Sequence, residues 1–186
     1  MKQILLWGGV GILVAGGLVA LFTFTNPSGA PQAEEPTGPD YSQAMPHEGA
    51  THVAEGTEVS YQSNPPTSGS HWPIPLLDRM YDTEKPDEAL VHSLEHGRIW
   101  VSYKPDVGGE VIEALKDILG NQARVILTPR AANDTDIALA AWTRLDAFDL
   151  EQLALSEVEG RILDFIARYR DKGPEYVPQM TGKTYD

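Results

Sequence analysis

The stretch Lys85-Pro86-Asp87-Glu88-Ala89-Leu90-Val91-His92-Ser93-Leu94-Glu95-His96-Gly97 runs straight into Arg98-Ile99-Trp100-Val101-Ser102-Tyr103. Pro86 suits a first helical position, and the acids Asp87 and Glu88 suit the positive end of a helix dipole. Gly97 suits the left-handed residue that ends a helix. The pattern predicts a helix from about Lys85 to His96, then a strand over Arg98–Tyr103. On the helix His92 and His96 stand one turn apart and share a face. At about 100° per residue, Leu90, Val91 and Leu94 form an apolar stripe, with His92, His96 and Glu88 nearly opposite. If the stripe faces the core, the histidines face solvent or a second segment that covers them.

Outward from this pair the elements alternate. Upstream, Glu58-Val59-Ser60-Tyr61 reads as a short strand by alternation. Downstream, Val107–Leu119 is an amphipathic helix stopped by Gly120, Arg124–Thr128 a strand closed by Pro129, and Ile137–Trp142 a further strand. Ser156 suits the cap of a last helix to about Arg170. The order β-α-β-α-β-β-α predicts one small α/β domain, with α+β as the other option. Its expected sheet is mixed and four-stranded, flanked by helices and mostly parallel with one antiparallel strand.

Ile4 to Phe24 is an uncharged run of 21 residues, long enough to cross a hydrocarbon core of about 30 Å as a helix. It exceeds the roughly 7–15 apolar residues of a signal peptide, and Pro31 disfavours cleavage after Ala30 or Ala33. Lys2 precedes the run and acids dominate after it, so the rest of the chain is expected outside the cytoplasm. The expected organisation is a cytoplasmic stub and single-pass anchor over residues 1–25, then a Pro/Gly/acidic linker over 26–50. A periplasmic or extracellular globular domain over 51–175 and a polar tail over 176–186 complete it. A cleaved signal peptide is the alternative.

The 186 residues carry a net charge of −13 and a pI near 4.7, which excludes nucleic acid and an anionic membrane surface as natural partners. No cysteine is present, so there is no disulfide, no thiol nucleophile and no thiolate metal site. A metal must be held by His, carboxylate, Met or backbone oxygen. Gln62-Ser63-Asn64-Pro65-Pro66-Thr67-Ser68-Gly69-Ser70-His71-Trp72-Pro73 is a loop stiffened by three prolines. It presents His71 reproducibly and is the natural cover for the histidine face of the helix.

The residues Asn64-Pro65-Pro66-Thr67-Ser68-Gly69-x-His71 and His92-Ser93-Leu94-Glu95-His96-Gly97, with Ala141-Trp142, resemble the signature of a bacterial membrane-anchored domain family of unknown function. The resemblance covers roughly Thr51 to Glu175 and implies no activity. It adds His52, in His52-Val53, to the candidate set. Arg79, ahead of Met80-Tyr81, departs from the Gly-x-Tyr of the pattern.

Three readings follow. The first is a transition-metal site from His71, His92 and His96, completed by His52 or Met80, with Glu95 as a neighbouring group. Imidazoles without thiolate suit Cu(II) or Zn(II), and the affinity order puts copper ahead of zinc. It requires His71 within about 5 Å of the His92/His96 pair. Against it stands a purely structural role, His96 sitting favourably at the negative end of its helix. The second reading takes His92-Ser93-Leu94-Glu95-His96 as the H-x-x-E-H motif of a zinc peptidase, with Glu95 as base and Glu175 as third ligand. So small a domain does not enclose a peptide, and catalysis is not required by anything else in the chain. The third is a non-catalytic envelope interaction module using Trp72, Pro65 and Pro66, its protein partner left open.

Overall fold

Alternation along Ile99–Tyr103 sends Ile99, Val101 and Tyr103 to one side and Trp100 and Ser102 to the other, and the molecule is layered about that strand. The computed structural model describes residues 35–186 apart from Gln152. The elements are β1 (Gln43–Ala44), α1 (Asp87–Glu95), β2 (Ile99–Tyr103), α2 (Gly109–Leu119), β3 (Val125–Pro129), β4 (Ile137–Ala141), β5 (Arg144–Phe148) and α3 (Leu155–Tyr169). The sheet runs β1-β5-β4-β2-β3, and β2/β3 is its parallel pair. On one face Ile99, Val101, Leu127 and Leu139 pack against Leu115 and Leu119 of α2 and Ile162, Phe165 and Ile166 of α3. On the other, Trp100, Ile126 and Ala140 pack against Ala89, Leu90 and Leu94 of α1 and Leu76. Trp100 anchors that second layer and donates its indole N–H to Thr128 Oγ1 at 2.9 Å.

The class is mixed α+β, and several expectations are corrected. The sheet has five strands rather than four, and three of its four pairings are antiparallel. Two strands are unexpected: β1, within the stretch expected as linker, and β5, joined to β4 through Trp142-Thr143, where Thr143 has φ 57°. No Asn-Gly or Asp-Gly marks that turn. Asp146 also breaks the apolar pattern, because its buried carboxylate is held by Arg161 at 2.8 and 2.5 Å. Glu58–Tyr61 is not a strand: Val59 N–H goes to the Glu88 carboxylate at 3.0 Å rather than to a ladder. The last helix begins at Leu155, so Ser156 lies inside its first turn, and Glu157 accepts the Ala154 N–H at 2.8 Å.

The span Ile4–Phe24 and the linker as far as residue 34 lie outside the described residues. Among the described residues no helix is long and apolar enough to cross a membrane. Residues 35–50, linker by composition, run along the domain. Thr37 and Gly38 donate to the Asp164 carboxylate at 2.7 and 2.5 Å, and Gln43–Ala44 pairs with β5.

Candidate metal centre

Each residue of His92-Ser93-Leu94-Glu95-His96-Gly97 has a distinct structural role. Gly97, at φ 78°, lets Arg98 N–H reach Ser93 O at 3.0 Å while Gly97 N–H reaches Leu94 O at 2.9 Å. That double bond is the Schellman closure, which a left-handed residue permits. Leu94 fills the core, and buried Ser93 accepts the Leu76 N–H at 3.0 Å, fastening α1 to the segment before it. His92, Glu95 and His96 project from the last turn, all three buried.

The proline loop covers them. Its polar residues are spent on fixing its path: Ser68 Oγ donates to Pro46 O and accepts from Glu48 N–H, both at 3.0 Å. Asn64 donates to Ala132 O at 2.7 Å and accepts from Arg130 at 2.5 Å. Arg130 in turn grips Asp87 at the start of α1 through two bonds of 3.0 and 2.7 Å. The loop and the helix are thus held by one guanidinium, while a two-residue bridge pairs His71 with His52.

His71 lands where the helix pair requires it. Its ring lies 4.8 Å from that of His92, 4.9 Å from that of His52, and the His92 and His96 rings are 4.5 Å apart. His71 Nδ1 stands 2.8 Å from Gly69 O and His92 Nδ1 2.6 Å from Trp72 O. A carbonyl only accepts, so both Nδ1 atoms carry the proton, and in a neutral ring Nε2 is then a bare lone pair. Burial pushes His92 down to about 3, against the Trp72 carbonyl, and the nearby imidazoles His96, His71 and His52 lower it further. Burial also lowers His96, with Glu175 opposing and the Arg98 charge assisting.

The freed lone pairs converge. His71 Nε2 is 3.1 Å from Glu95 Oε2, yet among the described residues neither atom has a hydrogen-bond partner. His92 Nε2 accepts a hydrogen bond from His96 Nε2–H at 3.1 Å, a proton that a metal ion would displace. For metal–ligand bonds of about 2.0–2.1 Å, neighbouring ligands of a tetrahedral ion stand about 3.3–3.4 Å apart. With His71 neutral the two acceptors repel each other, a conflict that either a proton on His71 Nε2 or a metal ion relieves, and their spacing is close to the edge of a coordination sphere. His52, His71, His92 and Glu95 could hold a metal ion, each offering one atom within 4.8 Å of all the others; Glu95, His96 and Glu175 form a second such group. His52 is the outer member, its side chain 51% exposed, with Nε2 4.0 Å from Glu95 Oε2.

The candidates named from sequence therefore divide. His52, His71, His92 and His96 come together. Met80 instead bridges Leu127 and lines a hollow with Asp78, Leu119, Gly120, Gln122 and Val125. Trp72 is half-buried: it donates to Thr57 O at 2.9 Å and stands 5.4 Å from the Tyr185 ring, so it packs the loop down. Glu95, read as a neighbouring group, lies among the donor atoms. Its place in the H-x-x-E-H pattern was the signal for that. Glu175, considered only as a peptidase ligand, stands 3.5 Å from His96 Nε2.

A family model described as "Protein of unknown function (DUF3105)" matches residues 52–182. The chain belongs to the DUF3105 family. No curated protein and no solved structure matches it. The DUF3105 span opens on His52 and extends past Glu175, so it encloses every donor of the cluster.

Proposed function

We propose that this DUF3105 chain is a membrane-tethered, extracytoplasmic domain that binds a transition-metal ion through His71, His92 and Glu95, with His52 as the exposed closing ligand. The observation that carries the reading is the pair of Nδ1–H bonds to backbone carbonyls, Gly69 O and Trp72 O, which turn both Nε2 lone pairs to the cluster, that of His71 beside the unpartnered Glu95 Oε2 and that of His92 onto His96. That is the outer support metal-binding histidines use to fix tautomer and orientation. The tether rests on the apolar run Ile4–Phe24, and the export on the charges around it.

Nitrogen donors with one carboxylate suit Cu(II) and Zn(II), and the affinity order favours copper. With Met80 in a different hollow, a thioether adds nothing to the copper case. The peptidase reading loses support, since Glu95 stands within the donor set rather than apart from it as a base.

The test is metal content and titration of the full chain, purified without a histidine tag. Stoichiometric Cu(II) or Zn(II) is expected, with affinity lowered about 100-fold or more in His71→Ala and His92→Ala, above the 10- to 100-fold typical of losing an outer partner. Binding indifferent to both substitutions would sink the reading.

A further inference from the structure

The proposed ion takes four donors, and two more beside them, His96 and Glu175, remain unused. His96 and Glu175 form a second convergent group with Glu95, separate from the quartet that Glu95 shares with His52, His71 and His92. The Glu95 side chain is 9% exposed, and its Oε2, 3.1 Å from His71 Nε2 and 4.0 Å from His52 Nε2, belongs to the first group. A carboxylate has two oxygens, so Glu95 can offer one to each group. His92 Nε2 and His96 Nε2, one from each group, share a hydrogen bond of 3.1 Å whose proton two bound ions would displace. Paired sites hold their ions about 3.5–4 Å apart, so the two nitrogens would part by a few tenths of an ångström to take one ion each.

Glu175 is not a stray surface acid. Its N–H donates to Glu95 O at 3.1 Å, which brings the segment across the end of α1. Two arginines then clamp the segment: Arg98 donates to Val177 O at 2.5 Å and Gln179 O at 2.6 Å, and Arg124 to Val177 O at 2.9 Å. Both also donate to His96 O, at 3.1 and 2.8 Å. The guanidinium of Arg98 is itself neutralised by Asp78 at 3.0 Å. The fold therefore spends two arginines on setting one carboxylate beside one imidazole.

We propose that the centre takes two transition-metal ions, the second held by His96 and Glu175 and bridged to the first through the Glu95 carboxylate. This rests on the metal-binding reading above, and the two fail differently.

The experiment counts zinc ions on the untagged, metal-stripped full chain by native mass spectrometry, with Glu175→Gln and His96→Gln alongside. Glu175 is exposed, so its substitution decides the matter even if the His96 variant fails to fold. Two ions are expected on the wild type and one on Glu175→Gln, the first ion's affinity changing by less than about threefold. Loading with Cu(II) should give a magnetically coupled pair in the wild type and the signal of an isolated ion in Glu175→Gln. One ion on the wild type, or two retained in Glu175→Gln, overturns the second position while leaving the first. No ion on any form overturns the metal-binding reading itself.

Discussion

At the scale of single residues, burial lowers the proton affinity of His92 and His96. His92 is nearly inaccessible and its imidazole is pushed from the ordinary 6.5 to about 3, burial being the larger cause. A depressed histidine binds its proton in the unfolded chain before it does so in the folded one. Between pH 6.5 and about 3 the unfolded state therefore holds more protons, and stability falls as pH falls through that window. The metal-free protein should lose on the order of 1–2 kcal/mol between pH 7 and pH 5 from this group, each full unit being about 1.4 kcal/mol. Urea melts in chelator at the two pH values measure it; a His92→Gln variant that keeps the whole slope would contradict the assignment. His52 differs because it is half exposed and reaches Glu95 Oε2 at 4.0 Å. His52→Ala is expected to weaken metal binding by about 10-fold, less than His71→Ala, since an outer ligand can be replaced by water.

At the scale of elements, the site depends on how a loop and a strap meet one helix end. Arg130 joins the loop to α1 through Asn64 and Asp87. Removing it leaves the Asp87 carboxylate and the Asn64 carbonyl without their shared donor, so Arg130→Met should cost about 2–3 kcal/mol in denaturant melts. An unchanged midpoint would mean that the loop is held by its remaining bonds. The strap is crowded where it crosses the helix: a Cβ on Gly173 would meet Glu95 O and Gly97 N. Backbone atoms cannot step aside, and Gly173→Ala is expected to destabilise by about 1–3 kcal/mol. Its thermal midpoint should fall even in chelator, which separates a packing effect from a metal effect.

For the whole molecule, the donors come from segments far apart in the chain. His52, His71, the α1 triplet and Glu175 span most of the folded length, so an ion binds the native arrangement and not the unfolded chain. Metal at about 100 times its dissociation constant adds about 2.7 kcal/mol. For a domain of this size, stripping with EDTA should lower the thermal midpoint by about 5–10 °C, and added zinc or copper should restore it. A midpoint that ignores both treatments would argue against a site formed by the fold.

What could be read from the chain was what lies within a few residues of itself. Helical spacing placed His92 and His96 together, Gly97 announced the turn that ends α1, and prolines marked a loop stiff enough to carry His71. Alternation found β2, β3 and β4, each buried along its length. The first signal failed for β5, whose Asp146 is buried only because Arg161 of α3 pairs with it. Met80 was a candidate by ligand chemistry alone, and its backbone bridge to Leu127 places it at another hollow.

By itself the sequence determined the ligand types, the absence of thiolate, and a helix with two imidazoles on one face, because composition and 3.6-residue periodicity are local properties. Only the tertiary structure decided that Glu95 and Glu175 stand among them, which nitrogen of His71 and His92 is left bare, and that the proline loop covers the pair. Those facts rest on carbonyls, arginines and strand pairings contributed by residues distant in sequence, and no local pattern specifies them.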